Sequence, residues 1–179
     1  MSHNLTVFYT TESFKQWRKK NSYPLGFVPT MGNLHLGHIS LLEMAIKKYS
    51  QVVLSIFVNP TQFGPSEDFE KYPRTLEQDI LLVELMLKNY PDAQVIVYAP
   101  QHPSEIYRKD FSSFISPGKI GTLLEGEKRP GHFQGVCSVV SILLHIVRPE
   151  CLFLGKKDYQ QWKILQKMIT DLHFPVSLS

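Results

Sequence analysis

The chain has 179 residues, of which 43% are hydrophobic and 20% charged, and a formal net charge of +3. That is enough for one domain with a sizeable core and too little for two. It excludes a helix that crosses a membrane, since no apolar run approaches the ~18 residues such a span needs. Nucleic-acid binding is disfavoured too, because the basic residues form no long stripe.

The N-terminal stretch MSHNLTVFYT has neither a basic n-region nor a continuous apolar h-region, which predicts a cytoplasmic protein. Cys137 and Cys151 lie in apolar segments, without the spacing of a disulfide framework or a zinc site. Lys15, Arg18, Lys19 and Lys20 form the one dense basic cluster and read as the solvated face of a helix. A modest positive balance suits an anionic small substrate.

Along the chain, Leu25 to Val28 is a short apolar run before a loop that contains Pro29. Ile39, Leu42, Ile46 and Tyr49 recur at helical spacing, which predicts an amphipathic helix over His38 to Ser50. VVLSIFV, Val52 to Val58, is nearly all apolar, as a strand covered on both faces should be. Thr75 and Gln78 form a capping-box signature for a helix running to about Asn89. A strand follows at Gln94 to Tyr98, then a short helix at Pro103 to Tyr107. His132 to Val147 reads as a buried helix that stops before Pro149, Cys151 to Gly155 as a strand, Asp158 to Leu172 as a helix and Val176 to Leu178 as a fifth strand. Met44, Ala45, Leu143 and Leu144 are expected in the core.

Strand and helix in alternation predict an α/β fold, a Rossmann-like, doubly wound parallel sheet of about five strands in one domain over 1–179. In such sheets ligands sit beyond the carboxyl ends of the strands. The loops at Pro29, Asn59 and Gly155 all follow strands, so their polar residues are the site candidates.

Within PTMGNLHLGHISLL, His35 and His38 stand at the start of a helix with Gly32 and Gly37 beside them. A helix N-terminus attracts anions. The glycines would let backbone approach a phosphate, and imidazoles can donate where charge develops in a transition state. Surface polar residues or a metal site are the alternatives, although no third ligand of the right type lies nearby in sequence.

H-x-G-H after a strand resembles the signature of the nucleotidyltransferase superfamily. VPTMGNLHLGHISLL, SIFVNPTQF, YPRTLEQD, LEGEKRPGHFQGV and FLGKKDYQQWKIL, in that order, resemble the successive signatures of the pantothenate synthetase (pantoate–β-alanine ligase) family. The resemblance implies that ATP and D-pantoate form pantoyl adenylate and pyrophosphate, and that the β-alanine amine then displaces AMP. It places ATP, with Mg2+, against Met31, Gly32, Asn33, Leu34, His35, Leu36, Gly37 and His38 and against Gly155, Lys156, Lys157 and Asp158. His38, with His35 and Lys157, matches the catalytic positions.

Gln62 and Gln161 match the pantoate ligands, and Arg129 and His132 are placed near the substrates or phosphates. Asp79 matches a position linked to magnesium, although an aspartate in the first turn of a helix is equally explained by the helix dipole. A homodimer is implied as well. Lys156 stands where the family has glutamate and Thr61 where it has methionine. The family continues past the fifth strand into an S-S-R-N block and a smaller domain, which this chain lacks. Two other readings are a different H-x-G-H adenylyltransferase and a binding module without turnover.

Overall fold

The structure is a computed structural model that describes residues 4–64 and 67–179. In chain order it contains β1 (Leu5–Phe8), α1 (Thr11–Lys20), β2 (Gly26–Thr30), α2 (Leu36–Ile46), β3 (Gln51–Ile56), α3 (Leu76–Leu87), β4 (Gln94–Tyr98), α4 (Glu125–Lys128), α5 (His132–Val147), β5 (Cys151–Leu152), α6 (Tyr159–Asp171) and β6 (Ser177–Leu178). Short 3-10 turns occur at Pro60–Gln62, Pro103–Glu105, Gly118–Thr122 and Lys156–Asp158. Among the described residues no helix is long and apolar enough to cross a membrane.

The strands form one parallel sheet in the order β1-β4-β3-β2-β5-β6. Six strands replace the expected five. The additional one, β1, has only Leu5 fully buried, so its apolar signal was too weak to read. It pairs with β4 at the sheet edge, Leu5 opposite Val95 and Phe8 opposite Tyr98.

Side chains alternate across the sheet with period two. Phe27, Val53, Ile96 and Tyr98 pack in one layer with Phe14 of α1 and the apolar faces of α5 and α6. Val28, Val52, Leu54, Val95 and Val97 pack in the other with Leu42 and Ala45 of α2 and Val83, Met86 and Leu87 of α3. Helix α5 has the bounds its sequence predicts, and only Gln134, Ile142 and His145 escape full burial.

Several expectations need correction. Met44 is exposed rather than in the core, one 100° step around α2 from buried Ala45. Arg18 is buried rather than solvated. Its guanidinium donates to the carbonyls of Val147 and Arg148, each at 2.9 Å, and of Tyr23 at 3.1 Å. It thereby satisfies the carboxyl end of α5, where a cation is favoured by the helix dipole. Lys15, Lys19 and Lys20 are exposed as expected. The capping box at Thr75 does not form, because that hydroxyl turns to Asp79.

The chain runs β2, β3, β4 in one direction and then places β5 on the other flank of β2, so the order reverses between β2 and β5. A proline in a central strand is unusual, since it cannot donate to the ladder. Pro29 is tolerated for a local reason. The Phe27 carbonyl accepts from Phe153 N–H at 2.8 Å, and Thr30 accepts from Phe57 N–H at 3.1 Å. Residues 27 and 29 therefore face β5, and 28 and 30 face β3. The pairing of β2 with β5 ends at Phe27 opposite Leu152. Pro29 thus turns its missing donor toward the place where β5 has already diverged, and a crevice opens there.

Candidate active site

The crevice holds a cavity of about 260 Å³. Its floor is Pro29 to Gly32, leaving β2. One wall is Phe57, Asn59 and Gln62, leaving β3, and another is the apolar side of α5 with Val136, Val139, Val140 and Leu143. Asp158 and Gln161, after β5, close it opposite His38. A second chamber of about 350 Å³ shares Met31, Gln62, Tyr72, Asp158 and Gln161 with the first and extends to Arg129, His132 and Lys157. The three expected loops do converge at one end of the sheet.

The loop after β2 is over-determined. Gly32 at φ +84° and Asn33 at φ +51° place successive residues in the left-handed region. The N–H groups of Asn33 and Leu34 then converge on the Asp79 carboxylate at 3.1 and 2.7 Å, and the Thr75 hydroxyl donates to it at 3.3 Å. Such a curl of backbone donors is an anion-binding nest, and here the anion is the protein's own. A Cβ on Gly32 would lie 3.1 Å from the Asp79 carboxylate.

Gly37 has a different purpose. A Cβ there would lie 2.9 Å from His35 Cε1, so glycine lets the imidazole fold over the helix start. His35 Nδ1 accepts from Gly37 N–H at 3.0 Å, and His35 N–H donates to His38 Nδ1 at 3.3 Å. The two histidines thus cap α2 reciprocally, as Ser and Glu do in a capping box. With both Nδ1 atoms accepting, both rings carry their proton on Nε2, in rings whose centroids are 4.1 Å apart. Burial, reinforced by His35, holds the His38 pKa below its ordinary value against the pull of Asp79. The loop's backbone donors therefore serve its own carboxylate and imidazoles rather than a phosphate, and what it offers outward is imidazole N–H.

Asp79 is 2% exposed, and its oxygens are engaged by that loop. A magnesium ion would have to displace these bonds, so the residues do not fit the expected metal role. Among the described residues no group of three acidic, histidine or cysteine side chains could hold a metal.

Gln62 is held by Asn59. Asn59 Nδ2 donates to Gln62 Oε1 at 3.1 Å, and Gln62 Nε2 donates to Met31 Sδ at 3.1 Å. Close packing of Pro60–Gln62 on α5 requires Gly135, where a Cβ would meet Thr61 O at 2.3 Å. His132 Nδ1 donates to the Gln62 carbonyl at 2.8 Å, which leaves Nε2 to accept from Arg129 at 3.2 Å. Arg129 is further bound by Glu67, with Nη2 to Oε2 at 3.1 Å, and by Glu125 at 3.1 Å. Those contacts push the Glu67 carboxyl down and the Arg129 guanidinium up. Burial, helped by Arg129, keeps the His132 pKa low.

The sequence profile described as pantoate-beta-alanine ligase matches residues 6–179. The chain belongs to the pantoate–β-alanine ligase family. It is 47% identical over 169 residues to a pantothenate synthetase of Hydrogenovibrio crunogenus, covering 93% of this chain and 57% of that protein. It superposes on the crystal structure of pantothenate synthetase from Thermus thermophilus with a TM-score of 0.87 at 39% identity, over 97% of this chain and 60% of that one. The pantoate–β-alanine ligase of Francisella tularensis, solved with β,γ-ATP and β-alanine, gives 0.86 at 37% identity, covering 98% and 66%. The chain thus spans about 57–61% of the length of the first curated relatives it matches.

Of the residues expected at a ligase site, Met31, Gly32, His38, Gln62, Asp158 and Gln161 meet in the inner cavity, and Arg129, His132 and Lys157 line the outer one. Neither chamber is lined by Asn33, Leu34, His35, Leu36, Gly37, Gly155 or Lys156. Lys156 instead lies over the Trp162 ring at 5.3 Å, and Leu36 is 80% exposed. Sequence reasoning missed Tyr107, whose hydroxyl donates to Asn59 Oδ1 at 2.6 Å, and Gln160, whose amide holds the Ile120 and Leu123 carbonyls at 2.9 and 2.7 Å. Asn59 before proline at a strand exit was the available signal, since the polar residues of that loop were already site candidates.

Proposed function

We propose that this chain supplies the ATP- and pantoate-binding part of an enzyme that condenses D-pantoate with β-alanine, releasing AMP and pyrophosphate through pantoyl adenylate. The observation that carries this reading is a continuous double chamber. Its amide-lined, half-apolar inner part fits a small branched hydroxy acid, with His38 lining that inner part and Lys157 the outer one.

Pantoate would lie with its methyl groups against Val139, Val140 and Leu143 and its oxygens against Gln62 and Gln161. Its carboxylate oxygen attacks the α-phosphorus of ATP, and the bond to pyrophosphate breaks. His35 and His38, each with Nε2–H outward, donate to phosphate oxygens, and Lys157 supplies a mobile positive charge as pyrophosphate leaves. The β-alanine amine then attacks the acyl carbon and AMP departs. No protein nucleophile is needed, because adenylation supplies the leaving group. No step is routed through a metal at Asp79. The full enzyme is proposed to be a cytoplasmic homodimer.

The test is calorimetric titration with D-pantoate and with ATP, alongside pyrophosphate release with both substrates present. Pantoate binding that His38→Ala preserves and Gln161→Ala weakens supports the reading. Absence of pantoate binding refutes it.

A further inference from the structure

We infer that Tyr107 and Thr61 are positioning residues that secure the polarity of the inner cavity, keeping the amide N–H of Gln62, and not its carbonyl, turned toward the bound ligand. The inference rests on the proposed pantoate site and assigns that site a chemical preference: an oxygen lone pair, from a carboxylate or hydroxyl, at Gln62.

The argument is a chain of donors and acceptors. An asparagine or glutamine amide has an acceptor end and a donor end, and its neighbours decide which way it lies. Asn59 is 1% exposed, so neither end can turn to water. Its Oδ1 takes hydrogen bonds from Tyr107 OH at 2.6 Å, Thr61 Oγ1 at 3.0 Å and, more weakly, Thr61 N–H at 3.4 Å. Its Nδ2 lies 3.3 Å from the Gly135 carbonyl. Reversing the amide would set nitrogen against the Thr61 N–H and oxygen against the Gly135 carbonyl, and would force both hydroxyls, the short Tyr107 contact included, to turn from donating to accepting. The remaining Nδ2 proton goes to Gln62 Oε1 at 3.1 Å. Gln62 must therefore lie with oxygen toward Asn59 and nitrogen toward the cavity.

What Gln62 Nε2 finds there is Met31 Sδ at 3.1 Å, a thioether. Sulfur is a weak acceptor. A ligand oxygen can displace it at little cost, so Met31 holds the donor in place without competing strongly for it. The main-chain pair, Thr61 N–H and the Gly135 carbonyl, sets the direction of the Asn59 amide through long contacts, and the two hydroxyls, bound at shorter distance, make it firm. Burial pushes the Tyr107 phenol up, so it remains a donor through the neutral range. The Thr61 and Tyr107 oxygens lie 3.0 Å apart, so with one proton each, Tyr107 gives its proton to Asn59 Oδ1 over the shorter contact and the Thr61 proton is shared between Oδ1 and the Tyr107 oxygen. Neither Thr61 nor Tyr107 lines the cavity. Their effect on a ligand passes through Asn59.

The experiment compares Thr61→Val, Tyr107→Phe and the double variant with the unaltered chain. Affinities for D-pantoate and ATP are measured by calorimetry, and the Gln62 side-chain amide is followed by NMR on labelled protein. The unaltered chain should show cross-peaks from the Gln62 NH2 protons to the Met31 methyl. Each single change should weaken pantoate binding about three-fold and the pair about ten-fold or more, from the net worth of one or two hydrogen bonds. ATP affinity should stay within about two-fold, and the cross-peaks should fade in the double variant. Unchanged pantoate affinity with the cross-peaks retained overturns the inference, as does an equal loss for ATP and pantoate. If the unaltered chain binds no pantoate, the proposed function fails. The amide's orientation is then judged on the cross-peaks alone: present in the unaltered chain and lost in the double variant they support it, and otherwise they overturn it.

Discussion

The loops after β2 and after β5 face each other across one crevice and are built in opposite ways. In the first, Gly32 to His38, buried Asp79 ties down two backbone N–H groups, and two imidazoles cap the helix that follows. In the second, Gly155 to Asp158, the residues are exposed and no side chain caps the turn or α6. On the proposed function, the two loops meet a polyanion in two ways. Fixed donors stabilise charge without reorganising as it develops. A lysine on a flexible stem supplies a point charge that can follow a departing group.

The comparison breaks most severely at Asp79. Asp79→Ala removes a buried carboxylate from the part-buried Asn33 and Leu34 N–H groups, and hydrogen bonds to a charged group are worth about 1.5–3 kcal/mol each. Urea denaturation should show a fall of at least ~2 kcal/mol, and ATP binding should be lost with it. If Asp79→Ala kept full stability, the first loop would not be over-determined.

Gly37→Ala isolates the histidine cap. The added methyl would force the His35 ring off the Gly37 N–H, at about the ~1 kcal/mol of a lost helix cap. ATP affinity measured by calorimetry should drop about ten-fold, because the outward N–H is re-aimed. Pantoate affinity should change little.

Acidity should distinguish the loops next. The folded state holds the pKa of His38, and that of His132, below the 6.5 of a free imidazole. The unfolded chain therefore binds more protons as pH falls below about 6.5, and stability declines from there toward the lower folded values. Above that range both states are neutral at these residues and no penalty applies. Urea midpoints at several pH values between 7.5 and 5 should fall on acidification, and His38→Gln should flatten the slope. The depressed Glu67 carboxyl adds its own loss only below the ordinary 4.5. A His38→Gln profile with the original slope would remove His38 from the effect.

The smallest effect belongs to the second loop. Lys157→Ala should leave stability within about 0.5 kcal/mol, as at other exposed positions. It should still weaken ATP binding, more at low salt than at high. Lys156→Ala should leave ATP affinity unchanged, since that side chain lies on Trp162.

The fold was legible wherever an element carried a strong apolar signal. Val52 to Ile56 and His132 to Val147 are buried almost throughout, and both were found. Leu5 to Phe8 offers one fully buried residue, so β1 passed unseen. At the site, the H-x-G-H block pointed to the right loop but not to its wiring. Spacing reveals that His35 and His38 share a helix start. It does not reveal that Gly37 is small for the sake of a ring, or that Asp79, more than 40 residues on, fills the nest. Such facts depend on pairs far apart in sequence, as do those linking Tyr107 to Asn59 and Arg18 to the end of α5. Arg18 looked like its lysine neighbours because nothing local distinguishes a residue that reaches a helix terminus some 130 positions away.

Pro29 carries a further consequence, for hydration. A strand that loses its neighbour normally exposes an N–H that must be wetted. At the floor of this crevice that group is absent, and of Pro29's backbone polar groups only the carbonyl remains to be hydrated. The same absence removes one donor that a longer pairing of β5 with β2 would use. The residue at the point of divergence thus presents one backbone polar group fewer to solvent than any other residue would.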